Sequence, residues 1–200
     1  MRLLIATTNP DKLREIRRIL AGLPIEVAGL DNVAPVAEPE ERGTTFEENA
    51  RAKARYYAAA TGETAVAEDS GLVIDALDGA PGVYSARFGL PDAVTYPEKF
   101  ALLYRALRER GQGESPARFV CALALAAGNE VLFETRGTVE GTIAGAPSGA
   151  GGFGYDPILY YPPLGRTLAE LTTDEKAAVS HRGRAFRALR QFLEARLTSA

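Results

Sequence analysis

The sequence predicts an α/β fold. Three observations carry that expectation. The chain opens as strand, polar loop and helix; amphipathic helical repeats recur near residues 46–60, 97–110 and from 173 onward; short apolar runs fall between them. Residues 2–6 are an apolar run ended by turn residues, which reads as a buried strand. Asn9 is a suitable N-cap, and Pro10 sits at the first helical position, where its missing N–H costs nothing. Leu13, Ile16, Ile19 and Leu20 then recur at helical spacing, with Arg14, Arg17 and Arg18 on the other faces.

The second helix is expected from about Phe46 to Ala60, with Thr45 and Glu48 as a capping box and an alanine-rich body of high helix propensity. Thr64-Ala65-Val66-Ala67 reads as a short strand that stops at Glu68-Asp69-Ser70-Gly71, and Leu72-Val73-Ile74 as a further strand. Residues 78–97, rich in Gly, Pro and Asp, read as irregular. The third helix places Phe100, Leu103, Tyr104 and Leu107 on one stripe. Residues 118–127 and 130–142 form an expected antiparallel pair turning at Gly128-Asn129. Gly145 to Gly154 can only be loop, and the last helix starts near Thr173 behind a Thr172/Glu175 capping box. With no internal repeat or low-complexity linker, residues 1–200 read as one domain whose glycine punctuation suggests lobes.

Composition narrows the function classes. The chain has 200 residues, 46% hydrophobic and 24% charged, enough apolar material for a sizeable core. Its net charge of −3 lacks the broad positive field of a nucleic-acid binder, so no nucleic-acid partner is expected. A single cysteine, Cys121, excludes an intrachain disulfide framework and a cysteine-cluster zinc site; it reads as buried core. No apolar run approaches the roughly 18 residues of a membrane span, and the N-terminal run is too short for a secretory segment. No membrane association and a cytoplasmic location are the expectations.

Several clusters are able to carry chemistry. Gly149-Ala150-Gly151-Gly152-Phe153-Gly154 matches a dinucleotide-binding fingerprint in letters only. That fingerprint needs a helix directly after it, and Tyr155-Asp156-Pro157 follows instead. The loop is left as a solvent turn or as a flexible backbone wall around a ligand, where Phe153 or Tyr155 can stack on a flat ring. Thr7, Thr8, Asn9 and Lys12 share the first strand-to-helix junction. A helix N-terminus suits phosphate, and a lysine in its first turn opposes the dipole unless an anion is bound. Ordinary capping with a solvated lysine is the competing reading. Glu68-Asp69 is either a solvated acidic turn or a place to hold Mg²⁺ through one or two oxygens and take a proton from water. Glu41 is a weaker candidate for the same cluster, and Glu38 and Glu40 read as surface charge. Lys176, Ser180, His181 and Arg182 cluster near the last helix start, but an unbroken helix points His181 and Arg182 away from Lys176. Either they do not act as one site or a break, marked by Gly183, turns them inward.

Taken in order, six segments resemble one family. They are Thr7-Thr8-Asn9-Pro10-Asp11-Lys12; Thr45-Phe46-Glu47-Glu48-Asn49-Ala50 with Lys53-Ala54; Glu68-Asp69-Ser70-Gly71-Leu72; Tyr84-Ser85-Ala86-Arg87; Gly152-Phe153-Gly154-Tyr155-Asp156-Pro157; and Ser180-His181-Arg182. The chain is similar, from about residue 3 to 193, to the inosine/xanthosine triphosphate pyrophosphatases. The resemblance implies a long, mixed, twisted sheet flanked by helices, in two lobes around a central cleft, and a homodimer. It implies Mg²⁺-dependent cleavage of ITP, dITP or XTP to the monophosphate and pyrophosphate. It further implies that Thr7, Thr8, Asn9, Pro10, Asp11 and Lys12 hold the triphosphate, and that Glu68 and Asp69 hold the metal. Asp69 would act on the water and Ser70 lie beside the substrate. Phe153, Gly154, Tyr155, Asp156, Lys176, His181 and Arg182 would surround the purine. Donors such as Lys176, His181 and Arg182 would pair with a 6-keto oxygen and be left unpaired by adenine. A nucleotide sensor without hydrolysis, or a Mg²⁺-dependent phosphatase of smaller phosphoesters, stands as the alternative.

Overall fold

The computed structural model describes residues 2–198. β1 (Arg2–Ile5) leads into α1 (Pro10–Ile19), followed by β2 (Glu26–Gly29), α2 (Phe46–Thr61) and β3 (Thr64–Ile74). Then come α3 (Tyr96–Glu109), β4 (Pro116–Ala127), β5 (Glu130–Ile143), β6 (Leu159–Tyr161), β7 (Arg166–Thr167), α4 (Thr173–Val179) and α5 (His181–Thr198). The seven strands form one sheet in the order β2-β1-β3-β4-β5-β6-β7. It is mixed, as the resemblance implies: β1 is parallel to both β2 and β3, whereas β6 is antiparallel to both β5 and β7. Parallel strands need crossovers, which α1 and α2 supply.

The helix starts follow from local chemistry. Asn9 Oδ1 accepts from the amides of Asp11 (2.9 Å) and Lys12 (3.2 Å), so the first turn of α1 is capped by its own neighbour. Thr45 caps α2 through the Glu48 amide at 3.1 Å, and Glu48 reaches back to the Thr44 amide at 2.8 Å. Thr172 and Glu175 exchange the two bonds of a full capping box.

The chain divides into two compact units. One comprises the chain up to Asp69, Cys121–Gly137 and the chain from His181 on; the other comprises Ser70–Val120 and Thr138–Ser180. The first has a core of Leu3, Ile5, Ile16, Val66, Leu123 and Phe186. The second has a core of Leu72, Phe100, Leu103, Phe119, Val139 and Ile158. Among the described residues no helix is long and apolar enough to cross a membrane.

Three details depart from the sequence reading. Glu68–Gly71 do not end a strand; β3 runs unbroken from Thr64 to Ile74, because its polar residues find buried partners. The short strands β2, β6 and β7, of four, three and two residues, carry too few residues for a period to show. The last helix is interrupted at Ser180, which is extended (φ −63°, ψ 151°), whereas Gly183 lies inside α5.

Candidate active site

In the first unit the loop between β1 and α1 presents Thr7, Thr8, Asn9, Pro10, Asp11 and Lys12. Thr7 Oγ1 accepts from the Asn9 amide at 3.2 Å, which fixes the turn before the helix. Lys12 then reaches from the first turn of α1 to the buried carboxylate of Glu68, with Nζ 3.0 Å from Oε1. Glu68 is enclosed further by Arg182, whose Nε lies 3.0 and 3.1 Å from its two oxygens, and by the Cys121 thiol, which donates to Oε2 at 2.8 Å. Arg182 is itself shared with Glu15 of α1, at 2.9 Å. Burial opposes the Glu68 charge, but Arg182 and Lys12 outweigh it and hold the carboxyl well below its usual range. Burial pulls Arg182 down, and Glu68 more than restores it; the Cys121 thiol is pushed well up by burial and by Glu68.

Asp69, one residue on, points to the other face of β3 and meets different chemistry. Asn49 of α2 donates to its Oδ2 at 2.9 Å, and the same Asn49 accepts from the Gly43 amide at 2.7 Å. Burial raises the Asp69 carboxyl to about 6; the Asn49 bond works against this, and the negative charge of Glu41 adds to it. Glu41 is ion-paired with Lys53 of α2. Asp69 is therefore a carboxylate whose charge is opposed by a neighbouring acid, a situation that a divalent cation relieves. Glu68 is different: both its oxygens already face cations or a thiol. Among the described residues no three His, Cys, Asp or Glu side chains form a metal cluster. The residue that would hold a divalent cation here is Asp69, through a carboxylate oxygen.

The helix break at Ser180 places the residues around it. Ser180 remains tied to the end of α4 through its amide, which donates to Lys176 O at 2.8 Å. His181 then starts α5, and both it and Arg182 are buried. At Gly137 of β5 an added Cβ would stand 2.2 Å from the His181 carbonyl oxygen, so only glycine lets the strand approach this helix start.

In the second unit the glycine loop is followed by a single 3-10 turn, Asp156–Ile158, so the dinucleotide reading is excluded by the backbone as well. Asp156 Oδ2 accepts from the Phe153 amide at 2.7 Å and from Lys176 Nζ at 2.6 Å. A Cβ on Gly152 would lie 2.2 Å from that same oxygen, which makes glycine necessary for the turn. The Lys176 ammonium also stands 4.4 Å from the centre of the Phe153 ring. Tyr155 turns inward: it is buried, its hydroxyl donates to Ser85 O at 2.8 Å, and burial pushes that hydroxyl well up. Of the two aromatics offered for stacking, Phe153 is the one with an exposed portion. Ser70 belongs to this unit, half-buried on β3.

Asn49, Glu15 and Cys121 were not singled out as site residues from sequence. Asn49 carries a readable signal, a polar side chain on the inward face of an alanine-rich helix. Glu15 and Cys121 carry none, because their partners, Arg182 and Glu68, are distant in the chain.

These features set a capped helix start and its lysine in the same unit as a buried, proton-retaining acid. The comparisons with known proteins give the family. The Ham1 family matches residues 3–192, and the chain belongs to that family. It is 50% identical over 189 residues to a dITP/XTP pyrophosphatase from Exiguobacterium sp., covering 94% of this chain and 95% of that one. It is 47% identical over 189 residues to a dITP/XTP pyrophosphatase from Thermus thermophilus, covering 94% and 90%. Among solved structures, a HAM1 protein from Coxiella burnetii superposes with a TM-score of 0.91 at 40% identity, covering 98% of this chain and 99% of that one.

Proposed function

We propose that the protein hydrolyses inosine, deoxyinosine and xanthosine triphosphates, adding water to release the nucleoside monophosphate and pyrophosphate. The observation that carries this reading is Asp69: a buried carboxyl on β3, raised to about 6, in the same unit as the Lys12 ammonium at the start of α1. A base poised near neutrality is suited to taking a proton from an attacking water. The names of the relatives supply the substrate class.

In this reading Thr7 to Lys12 hold the triphosphate through the helix start and the Lys12 ammonium. Asp69 orients the water and receives its proton on a carboxylate oxygen, while Asn49 fixes that carboxylate by its amide. Glu68 serves as the buried counter-ion of Lys12 and Arg182, and it reaches a metal only if Lys12 turns toward phosphate. Ser70 lies beside the substrate. Phe153 offers a ring face and Gly154 to Asp156 the backbone wall; Lys176, with His181 and Arg182, supplies donors for the 6-keto oxygen. Mg²⁺ on Asp69, when bound, polarises the phosphate and offsets its charge. We further assign the 200 residues to one catalytic domain, acting in the cytoplasm as a homodimer without nucleic-acid or membrane partners.

The test is product analysis. Purified protein is incubated with inosine triphosphate and Mg²⁺, then with excess chelator. Monophosphate and pyrophosphate in equal amounts, lost on chelation, are expected. Free phosphate as the first product, or tight binding without turnover, overturns the reading.

A further inference from the structure

Lys99 is the one buried charge in the second unit that the proposed reaction does not use. It lies in the first turn of α3, where a cation opposes the helix dipole, and it is only 4% exposed. Among the described residues no carboxylate comes within 4 Å of it. Its ammonium instead donates to Ala86 O and stands 5.2 Å from the centre of the Tyr96 ring. Burial pulls its ammonium down from the usual lysine range. A solvated lysine at this position would avoid that cost, so the contacts it makes in the interior require a reason.

Both contacts lead to the same place. The carbonyl next to Ala86, that of Ser85, accepts from the Tyr155 hydroxyl at 2.8 Å. Ser85 Oγ in turn accepts from the Leu72 amide at 2.9 Å and donates to Gly82 O at 2.6 Å, anchoring the segment to β3. The Tyr96 ring meets Tyr155 edge-on at 5.2 Å between centres. It also lines the loop backbone: a Cβ on Gly154 would lie 3.5 Å from the Tyr96 hydroxyl. Lys99, Ala86, Ser85, Tyr155 and Tyr96 therefore close a ring of contacts beneath Phe153–Asp156.

We infer that Lys99 is a positioning residue for the nucleobase wall: it holds Tyr96 and the Ser85–Ala86 carbonyls so that Tyr155 keeps the Phe153–Asp156 loop in its base-reading form. This rests on the proposed function for the identity of the ligand, not for the existence of the contacts. The sequence does not announce it, because a lysine after Pro97-Glu98 looks like ordinary surface charge.

The experiment compares wild type with Lys99→Met, which keeps the side-chain length and removes donor and charge. Three readouts are taken: KM and kcat for inosine triphosphate, the inhibition constant of inorganic tripolyphosphate, and amide hydrogen exchange at residues 153–156 and 9–12. KM is expected to rise roughly fivefold to tenfold, the scale of one lost cation contact. The tripolyphosphate constant and kcat should stay within about twofold, because the phosphate and water machinery uses other residues. Exchange at 153–156 should quicken by roughly the same factor as KM, with residues 9–12 unchanged. An unchanged KM and unchanged exchange overturn the inference, as does a weakening of tripolyphosphate in step with KM, which marks a general structural defect. Should wild type cleave no inosine triphosphate, the functional reading falls and the exchange data alone decide the role of Lys99. If Lys99→Met does not fold, Lys99→Gln is judged by the same criteria.

Discussion

The two units neutralise buried charge in opposite ways. In the first, Glu68 is met by side chains from three separate segments, Lys12 of α1, Arg182 of α5 and Cys121 of β4, and Arg182 is shared with Glu15 of α1. In the second, Asp156 is met by the amide of Phe153, three residues away, and by Lys176. The first arrangement is a tertiary network; the second is a turn completed by one ion pair. The contrast recurs within the first unit between adjacent residues, since Glu68 is over-supplied with cations and Asp69 faces Glu41. Alternation along β3 sends the neighbours to opposite faces, so one acid is clamped by cations while burial and a neighbouring acid leave the other holding its proton. The lesson is that a Glu-Asp pair need not be a pair chemically.

Substitutions can break this contrast. The largest effect is expected at Asp69: Asp69→Asn should lower turnover by roughly 10²–10⁴-fold, the range for loss of a general base, while the melting temperature holds or rises. Pyrophosphate release with a parallel thermal melt checks it, and near-normal turnover would remove Asp69 from the mechanism.

Next comes stability. Glu68→Gln leaves Arg182 buried against Glu15 with much less opposing charge, and about 3 kcal/mol of destabilisation is expected from breaking a buried pair. For a chain of this size that is a fall in Tm of roughly 6–12 °C. Lys176→Met breaks a pair whose carboxylate keeps the Phe153 amide, so its Tm should fall by less than that of Glu68→Gln. A reversed order of the two melts would contradict the contrast drawn between network and turn.

The smallest effect is the pH dependence of the cation-free protein. An unfolded Asp gives up its proton near pH 4, whereas folded Asp69 keeps it to about 6. The folded state therefore binds more protons in that window, and the Asp69 contribution to stability falls as pH rises through it, then levels off. The expected size is on the order of 2–3 kcal/mol, read as the difference between denaturant titrations of wild type and Asp69→Asn. Mg²⁺, by favouring the ionised form, should shrink that difference.

How much was legible beforehand depended on the range of the interaction that decides each feature. The capped start of α1, the Thr172/Glu175 box and the glycine loop that is not a dinucleotide site were all readable, because each turns on residues a few positions apart. The break at Ser180 was not. Its extended backbone has no proline or glycine to announce it, and Gly183, the visible candidate, lies inside α5.

The inward turn of Tyr155 was equally hidden, since it depends on the Ser85 carbonyl 70 residues away. By itself, then, the sequence determined the α/β class, the helix starts and the chemical types gathered in six short motifs. Tertiary structure alone decided which carboxylate is clamped and which retains its proton, and which aromatic keeps a face. Protonation and orientation are set by the charges, burial and donors that long-range packing delivers, and no local window contains them.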